Sequence, residues 1–379
     1  MANTLTNLIP TLYSALDVVS RELSGFIPSV ARDSTADRAA KDQTVRWPIV
    51  PSMTSASISA AATGPDPSAE TIGSETITIS NSNGVSFYWE GEEQVGLRHG
   101  GQLERILQGQ FAQAMRTLVN DVEADIAKEY KKASRAYGTA GTAPFGSDLQ
   151  DSAEMRKILD DNGAPMGDRS LVINTGAGVN LRKLAELSKA NEAGSDDTLR
   201  LGTLLDLHGF AIRESAQIQW HSGGTADYVE TDGGHDKGDT EITVKEGSGT
   251  LDIDLDEGDV VTIGNYDYVV TEKIESAGDL KIAEPGLMED VAGDTEVTVA
   301  DDYNANMAFA RSAIHLVTRA PAMPEGGDAA DDVMEIQDPR TDLAFQVALY
   351  RQRRRIAYEV GLAWGQKLVK PEHTALLLG

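Results

Sequence analysis

Four arginines fall within five residues of the chain, at Arg351, Arg353, Arg354 and Arg355. A guanidinium group is planar and permanently charged, and it binds a carboxylate through two parallel hydrogen bonds. Such a cluster is either a solvated basic turn or a binding surface for carboxylates. The whole chain has a formal net charge of -27, so another copy of it offers many carboxylates. We therefore take the cluster as the candidate inter-subunit contact.

A glycine turn follows an apolar segment at Ile173–Leu181, whose sequence is INTGAGVNL. Gly176 and Gly178 match the first two glycines of a dinucleotide-binding fingerprint, in which the backbone approaches a pyrophosphate at a helix N-terminus. Leu181 occupies the position of the third glycine, and no repeated strand–helix–strand pattern follows. The sequence favours a structural turn, and a nucleotide-binding enzyme is an alternative function.

The segment Asp252–Gly258 carries acids at relative positions 1, 3 and 5, as a calcium-binding loop does. Position 6 of that loop is Glu257 where glycine is required, and position 12 is Ile263, which has no carboxylate to offer. The acids alternate with Ile253 and Leu255, which favours an edge strand with an acidic outer face. A weak cation site on the surface is the alternative.

The remaining sequence shows no pattern of catalytic or metal-binding residues. The six histidines, at positions 99, 208, 221, 235, 315 and 373, lack the spacing of metal ligands. The chain has no cysteine, which removes thiolate sites and cysteine nucleophiles. It has neither the G-x-S-x-G motif nor a P-loop. We expect no catalytic residue, no bound metal and no cofactor.

The acidity is concentrated in one segment. Residues 223–302 hold 23 Asp and Glu against 4 Lys and no Arg, whereas the other residues hold 37 acids and 29 bases. Phosphate binding requires clustered Lys and Arg, so this balance argues against a nucleic-acid reader. An acidic β-module that binds another molecule is a further alternative function. No basic leader and no long apolar run is present, so we expect a cytosolic product with no membrane partner.

The stretch Gly101–Ala136 is predicted to be one helix of more than 30 residues. Its apolar residues recur every three or four positions from Leu103 to Tyr130, which places them on one side of an α-helix. No proline interrupts it, and Gly138 suits the cap position after its end. Such a helix is roughly 54 Å long, and we expect the other elements to be arranged along this spine.

Residues 1–45 are predicted to be an N-terminal arm. A short amphipathic helix within it is indicated by Leu12, Leu16, Val19 and Leu23. The stretch Ala31–Gln43 is polar, small and charged, and it shows no face to bury.

Residues 46–91 are predicted to be an extended, two-stranded loop. Ile77 and Ile79 alternate with threonines, and apolar residues alternate again from Val85 to Trp89 beyond a turn at Ser82–Gly84. A disordered linker is the alternative. We expect the apolar side of this loop to be only partly covered by its own subunit.

The chain after the spine mixes helices and strands, which indicates an α+β domain. Residues 223–302 interrupt it with five short predicted strands, which indicates an inserted β-sandwich or barrel. The predicted helices are Ser152–Asn162, Leu181–Asn191, Ala305–Ala310 and Pro371–Leu378. The predicted strands are Ser170–Asn174, Gly209–Arg213, Glu241–Val244, Asp259–Ile263, Tyr266–Thr271, Leu280–Ala283, Glu296–Val299, Ser312–Thr318, Asp342–Tyr350 and Ile356–Leu362.

Four segments carry a resemblance to a known family. They are Gln110–Asn120 (QFAQAMRTLVN), Tyr137–Gly146 (YGTAGTAPFG), Arg156–Gly163 (RKILDDNG) and Asp206–Ser215 (DLHGFAIRES). They resemble the major capsid proteins of tailed bacteriophages related to the P22 coat protein, over residues 40–222 and 303–379. The order of the predicted parts resembles that of the HK97-type fold.

The resemblance implies an HK97-like α+β fold. Its parts would be the arm (1–45), the E-loop (46–91), the P-domain spine (92–140), the A-domain (141–222 and 303–339), the inserted β domain (223–302) and the P-domain terminal strands and helix (340–379). It implies a structural protein that self-assembles in the bacterial cytoplasm, as hexamers and pentamers, into the icosahedral shell of a virion. Scaffolding and portal proteins and packaged double-stranded DNA would be its partners, and the P-domain end carrying the arginines would meet adjacent capsomers.

Overall fold

The computed structural model describes residues 8–19, 24–49, 73–99, 103–188, 206–226, 229–246, 253–338 and 341–379. These residues form helices and strands mixed along the chain, so the predicted α+β class is confirmed. Throughout these ranges, no helix is long and apolar enough to cross a membrane.

The α-helices are α1 (Ile9–Val19), α2 (Gly91–His99), α3 (Leu103–Ala127), α4 (Gln150–Asp161), α5 (Thr175–Lys183) and α6 (Ala185–Ser188). The first strands are β1 (Ala31–Ala39), β2 (Thr44–Ile49), β3 (Gly73–Thr78), β4 (Asn81–Glu90), β5 (Arg135–Tyr137), β6 (Arg169–Ile173), β7 (Phe210–Glu214) and β8 (Trp220–His221). The later strands are β9 (Val229–Thr231), β10 (Glu241–Glu246), β11 (Val260–Ile263), β12 (Tyr266–Val269), β13 (Gly278–Lys281), β14 (Glu296–Val299), β15 (Tyr303–Ala310), β16 (Ile314–Pro321), β17 (Asp332–Gln337), β18 (Ala344–Gln352), β19 (Arg355–Leu368) and β20 (Thr374–Leu378).

The spine helix is shorter than predicted. α3 has 25 residues, and Lys128–Lys132 continue it as a 3-10 helix. Arg135 and Ala136 belong to β5, where they pair with β12 on one side and β20 on the other. The prediction of one helix over Gly101–Ala136 is therefore wrong at its C-terminal end, because these pairings recruit its last residues into a sheet.

The apolar side of α3 lies in the main core of the protein. Leu107, Phe111, Met115, Leu118 and Val122 are buried there, as the helical spacing predicts. α1 and the strands β4 and β19 pack against this helix. The spine thus separates the N-terminal helix from a sheet formed largely by residues near the other end of the chain.

A six-stranded sheet covers α3, with the order β1-β16-β19-β18-β17 and with β4 paired to β19. β1 joins it in parallel with β16 and Ala39 is buried, so the prediction that Ala31–Gln43 has no face to bury is wrong. Its polar residues have partners on neighbouring strands. Asp33 binds Arg319 at 2.9 Å, and Arg38 binds Glu335 at 2.9 Å. The predicted helix of the arm is present as α1, which buries Leu12, Leu16 and Val19, whereas Leu23 lies outside the described residues.

A twelve-stranded sheet runs in the order β13-β10-β9-β14-β11-β12-β5-β20-β15-β6-β7, and β8 pairs with β15. Two of its central strands were predicted as helices. Ala305–Ala310 lies in β15 between β6 and β20, and Thr374–Leu378 is β20 itself, preceded by a 3-10 turn at Pro371–His373. Both helix predictions are wrong because buried strand neighbours on each side outweigh the helix propensity of Ala, Met and Leu.

Residues 223–302, called the inserted module below, supply β9 to β14 to this sheet. The five strands predicted there are present, and the module has a hydrophobic core of its own that includes Ile242, Val261, Tyr268 and Leu280. Its connection to the rest of the sheet is the pairing of β12 with β5. The module therefore continues the larger sheet edge to edge.

β2 and β3 form a separate two-stranded sheet, called the two-stranded hairpin below. The prediction placed the two strands of the loop around Ile77–Ile79 and Val85–Trp89, whereas β3 pairs with β2; residues 50–72, between β2 and β3, lie outside the described residues. The predicted turn at Ser82–Gly84 is wrong, because these residues lie inside β4 and pair with β19.

The other predictions differ from the structure mainly at their ends. α4, β6, β7, β16, β18 and β19 lie where helices or strands were predicted, and β17 was not predicted. The helix predicted over Leu181–Asn191 is instead two short helices, α5 from Thr175 and α6, with a break at Leu184, and the last predicted residues lie outside the described part of the chain. Asn174 fixes that start because its side chain accepts a hydrogen bond from the amide of Ala177 at 2.8 Å.

Candidate assembly surface

The basic hairpin is the turn between β18 and β19, and it carries all four candidate arginines. Arg353 and Arg354 form the turn, and Arg354 has a φ of 63°. Arg351 Nε lies 3.7 Å from Asp331 Oδ2. The guanidinium carbon of Arg355 lies 4.9 Å from the centre of the Tyr88 ring, within the range of a cation–π contact. In the described part of the chain, Arg353 and Arg354 have no carboxylate partner.

A small cavity of about 270 Å³ lies beside the basic hairpin. Arg351, Arg354 and Arg355 line it together with Trp89 and Gln94, and no acidic side chain contributes to its wall. The cavity therefore suits a carboxylate, and the structure brings three of the four predicted residues to it. Arg353 is not among its lining residues.

β4 connects the basic hairpin to the spine. Its inward side chains Val85, Phe87 and Trp89 pack against the main core but stay half-exposed. The Phe87 ring lies 5.1 Å from that of Phe111, and Trp89 Nε1 donates a hydrogen bond to Gln110 at 2.7 Å. The prediction that this apolar alternation is only partly covered within the subunit is confirmed for β4 and is wrong for Ile77 and Ile79, which are fully buried.

The two-stranded hairpin is attached to the six-stranded sheet at its base. Ile77 and Ile79 are fully buried against Val317 and Ala363. The ammonium group of Lys367 lies 2.6 Å from the carboxylate of Glu75. The Trp47 ring also lies 4.1 Å from the ring of His315, so one face of the two-stranded hairpin contacts the six-stranded sheet along both of its strands.

A buried carboxylate on α3 holds the N-terminal segment. Glu123 is 1% exposed, and its oxygens accept hydrogen bonds from the amides of Phe26 at 3.1 Å and Ile27 at 2.9 Å. The hydroxyl of Ser215 donates to it at 3.1 Å. Burial raises the pKa of Glu123, although these hydrogen bonds act in the opposite direction. The carboxylate takes the place of a side-chain cap for the 3-10 turn Ile27–Ser29.

A second polar group joins the spine to the inserted module. His221 lies between Asp259 and Tyr130, with 2.7 Å from its Nε2 to the carboxylate and 2.7 Å from its Nδ1 to the tyrosine oxygen. The Asp259 carboxylate also accepts the amide of Gly224 at 2.8 Å. Burial, with a smaller effect of Asp259, raises the pKa of Tyr130 to about 12. These groups are satisfied by one another, so they fasten two parts of the fold.

The glycine turn does not have the geometry of a nucleotide site. β6 and β7 pair in parallel around α5 and α6, so one strand–helix–strand unit is present. A Cβ at Gly178 would lie 1.7 Å from a carboxylate oxygen of Glu214, which binds Arg182 through two hydrogen bonds of 2.5 and 2.6 Å. Gly178 makes room for this ion pair, and the carboxylate lies where a phosphate would need to approach.

The acidic segment resembling a calcium loop also has internal partners. The ammonium group of Lys273 lies 3.3 Å from Asp254, 3.1 Å from Asp256 and 3.1 Å from Glu275. Asp252 lies outside the described residues. No group of three or more potential metal ligands is found within the described ranges.

Two features of this surface were not visible in the sequence. Tyr88 belongs to this surface because β4 pairs with β19, which is far away in the sequence. The sequence pattern places Glu123 on the solvated face of the spine, and only the fold shows that Phe26 and Ile27 lie against it. The only local signal for Tyr88 is the period-two alternation of β4, which assigns it to the outer face.

Comparisons with known proteins give structural likenesses at low sequence identity. No family model matches the chain, and no curated protein matches it. A solved structure from Mycobacterium phage Che8 aligns with a TM-score of 0.43 and 16% identity, over 90% of this chain and 88% of that one. The capsid structure of the cyanophage P-SCSP1u aligns with a TM-score of 0.45 and 13% identity, over 94% and 88%. The virus-like particle from Pyrococcus furiosus aligns with a TM-score of 0.45 and 12% identity, over 97% and 98%.

Proposed function

We propose that this chain is the major capsid protein of a tailed bacteriophage and that it assembles, as hexamers and pentamers, into the icosahedral shell enclosing double-stranded DNA. The observation that carries the proposal is the two-stranded hairpin. It forms a sheet of its own, and although Trp47, Glu75 and Ile77 contact the six-stranded sheet, the other described side chains of its two strands are mostly exposed. An element of this kind gains burial when a neighbouring subunit packs against it, which couples folding to assembly.

Several other features support the same proposal. The four sequence segments that resemble phage capsid proteins lie on α3, on α4, around β7 and in the loop after β5. The order of elements agrees with a P-domain built on α3, β18 and β19, an E-loop built on β2 and β3, and an A-domain interrupted by the inserted module. The role is then structural and non-enzymatic, with scaffolding and portal proteins as partners and the virion as its location.

The inserted module should face outwards in such a shell. Packaged DNA is a polyanion, and a module with 23 acids against 4 lysines would repel it at the inner surface. On the outside the same charge is solvated and keeps shells from associating. A density map of the shell that placed residues 223–302 on the inner surface would contradict this orientation.

The basic hairpin is our candidate for the contact between subunits. Its arginines Arg353 and Arg354 have no carboxylate partner in the described part of the subunit, while every neighbouring copy carries an excess of acids. The cavity lined by Arg351, Arg354 and Arg355 gives the contact a defined place. If the basic hairpin is only a solvated turn, reversing these charges should leave the rate of assembly unchanged.

Electron microscopy and sedimentation of the purified protein test the proposed function. We expect capsomers or closed shells, with or without a co-expressed scaffold. A dispersed monomer that binds a nucleotide would support the enzyme alternative based on Gly176 and Gly178. A dispersed monomer that binds another ligand through residues 223–302 would support the acidic binding module.

A further inference from the structure

β4 is a ten-residue edge strand with one open side. Among the described residues it pairs with β19 alone. The amide of Gly91 donates to the carbonyl of Arg354 at 3.0 Å, which fixes the phase of this antiparallel ladder. In an antiparallel ladder every second residue bonds to the same neighbour, so the odd-numbered residues of β4 bond to β19. The even-numbered residues Ser82, Gly84, Ser86 and Tyr88 therefore direct their backbone amides and carbonyls to the open side.

The open side of β4 lacks the features that protect other edge strands. Natural edges carry charged residues or proline that prevent pairing with another chain. β1 has Arg32, Asp33 and Arg38, β17 has Asp332 and Glu335, and β13 has Asp279 and Lys281. β4 has neither a charged residue nor a proline before Glu90. It is the unprotected edge among these four strands.

The side chains beneath this edge are incompletely buried. Val85, Phe87 and Trp89 contact the core on one side and remain half-exposed on the other. A strand added at the open side would cover these three residues and provide partners for the outward amides at the same time. Burial of apolar area and new backbone hydrogen bonds would then act together.

We propose that β4 is a strand-addition site for a second copy of this chain, an inference that rests on the proposed function. The charges favour a copy over an unrelated partner. The basic hairpin lies at the C-terminal end of β4, where Arg355 contacts Tyr88 and where Arg353 and Arg354 have no carboxylate partner among the described residues. A chain of net charge -27 is attracted to that end, where the arginines outnumber the acid Glu90, and along the rest of the edge the Glu359 carboxylate lies beside Gly84.

Hydrogen exchange on wild-type protein before and after assembly tests the proposal. In unassembled subunits, the amides of Ser82, Gly84, Ser86 and Tyr88 should exchange rapidly, and in assembled particles they should be slowed by about a hundredfold or more. The amides of Val85 and Phe87, which bond to β19, are internal controls that should be protected in both states. Edge amides that exchange equally fast in particles would overturn the proposal.

A proline substitution gives a second, independent test. Ser86→Pro removes an amide that points to the open side and leaves the hydrogen bonds to β19 in place, so we expect soluble subunits that assemble at least about tenfold more slowly. Ser86→Lys, which adds a protective charge without changing the backbone, should act in the same direction and covers the case in which the proline variant does not fold. The matched control is Val333→Pro, at an outward amide of the protected edge strand β17, which should assemble normally.

The outcomes separate this inference from the proposed function. Normal assembly of both Ser86 variants overturns the strand addition and leaves the capsid function standing. Shells in which the edge amides of β4 still exchange rapidly would likewise overturn the strand addition and leave the capsid function standing. A chain that remains monomeric at all concentrations overturns both proposals. Protection that arises only with a different co-purified protein shows that the occupant is that protein and overturns our assignment of a second copy.

Discussion

The inserted module and the six-stranded sheet use their charged side chains in opposite ways. In the module, Lys273 binds three carboxylates, Lys281 binds Glu272 at 3.0 Å, and Lys245 binds Asp294. In the sheet, the described contacts leave Arg353 and Arg354 of the basic hairpin without a carboxylate partner. The edges differ in the same direction, because β13 in the module carries charged residues and β4 in the sheet carries none before Glu90.

This difference indicates which surface is built to meet another molecule. A region in which three of the four lysines bind carboxylates and whose edge strand carries charges has little to gain from a partner. A region that leaves cations, an uncharged edge and half-buried aromatic residues open gains hydrogen bonds and burial on association. Net charge alone would indicate the inserted module as the surface that meets another molecule, whereas the pairing of individual groups indicates the six-stranded sheet.

The largest expected effect concerns buried carboxylates. Glu123 on the spine holds neutral backbone amides, and Glu123→Ala would leave those of Phe26 and Ile27 without an acceptor, which should lower the free energy of unfolding by about 3 kcal/mol. Glu275→Ala, which removes an exposed partner of Lys273 in the inserted module, should leave it unchanged. Urea unfolding of both variants measures this. Equal losses would show that the two regions do not differ in how they use carboxylates.

The next effect concerns the cations of the two regions. Arg353→Glu with Arg355→Glu should give folded, soluble subunits whose assembly is slowed by about tenfold or more, because carboxylates then face the acidic neighbour. Lys245→Glu with Lys281→Glu reverses the same number of charges in the inserted module and should assemble at the wild-type rate. Light scattering follows both reactions. Equal slowing would mean that total charge, and not the basic hairpin, controls assembly.

A smaller effect is expected from pH. Burial raises the pKa of Glu123 above its ordinary value of 4.5, so the folded state holds this proton more tightly than the unfolded state. Its contribution to the free energy of unfolding therefore falls as pH rises from 4.5 through the folded pKa, with a slope of at most about 1.4 kcal/mol per pH unit. Urea unfolding gives the free energy of unfolding of wild type and of Glu123→Gln at each pH in this window, and the difference between the two should change with that slope. A difference independent of pH would contradict it.

The smallest effect is expected from salt. Raising ionic strength shortens the Debye length to about 3 Å at 1 M, which weakens exposed charge contacts. The wild-type assembly rate should fall modestly with salt if the basic hairpin attracts its neighbour, and the Arg353→Glu, Arg355→Glu variant should lose or reverse this dependence. Stopped-flow scattering at several salt concentrations measures both. A wild-type assembly rate that does not depend on salt would show that the basic hairpin is only a solvated turn.

The sequence predicted the elements that depend on local pattern. The stripe from Leu103 to Val122 identified the spine, and the alternation around Arg351–Arg355 identified β18, β19 and the turn between them. It failed where distant strands decide the local structure. Ala305–Ala310 has good helix formers but lies between β6 and β20, and no local signal reports such neighbours.

The candidate surface was predictable only in part for the same reason. The arginines are visible in the sequence as a cluster of like charges. Their cation–π contact with Tyr88 and the open edge of β4 both depend on the pairing of β4 with β19, which joins residues far apart in the sequence. Only the folded register shows which amides remain without a partner.

The pairing of β4 with β19 also determines how long β4 waits for its partner strand during synthesis. At the usual 5–20 residues per second, a ribosome needs roughly 15 to 55 s to make the chain that separates β4 from the strand it joins. For that time both sides of an uncharged, aromatic strand stay without their final partner, and the same delay applies to β1 and β16. Nascent chains on one polysome are therefore at risk of pairing with one another before each chain is complete.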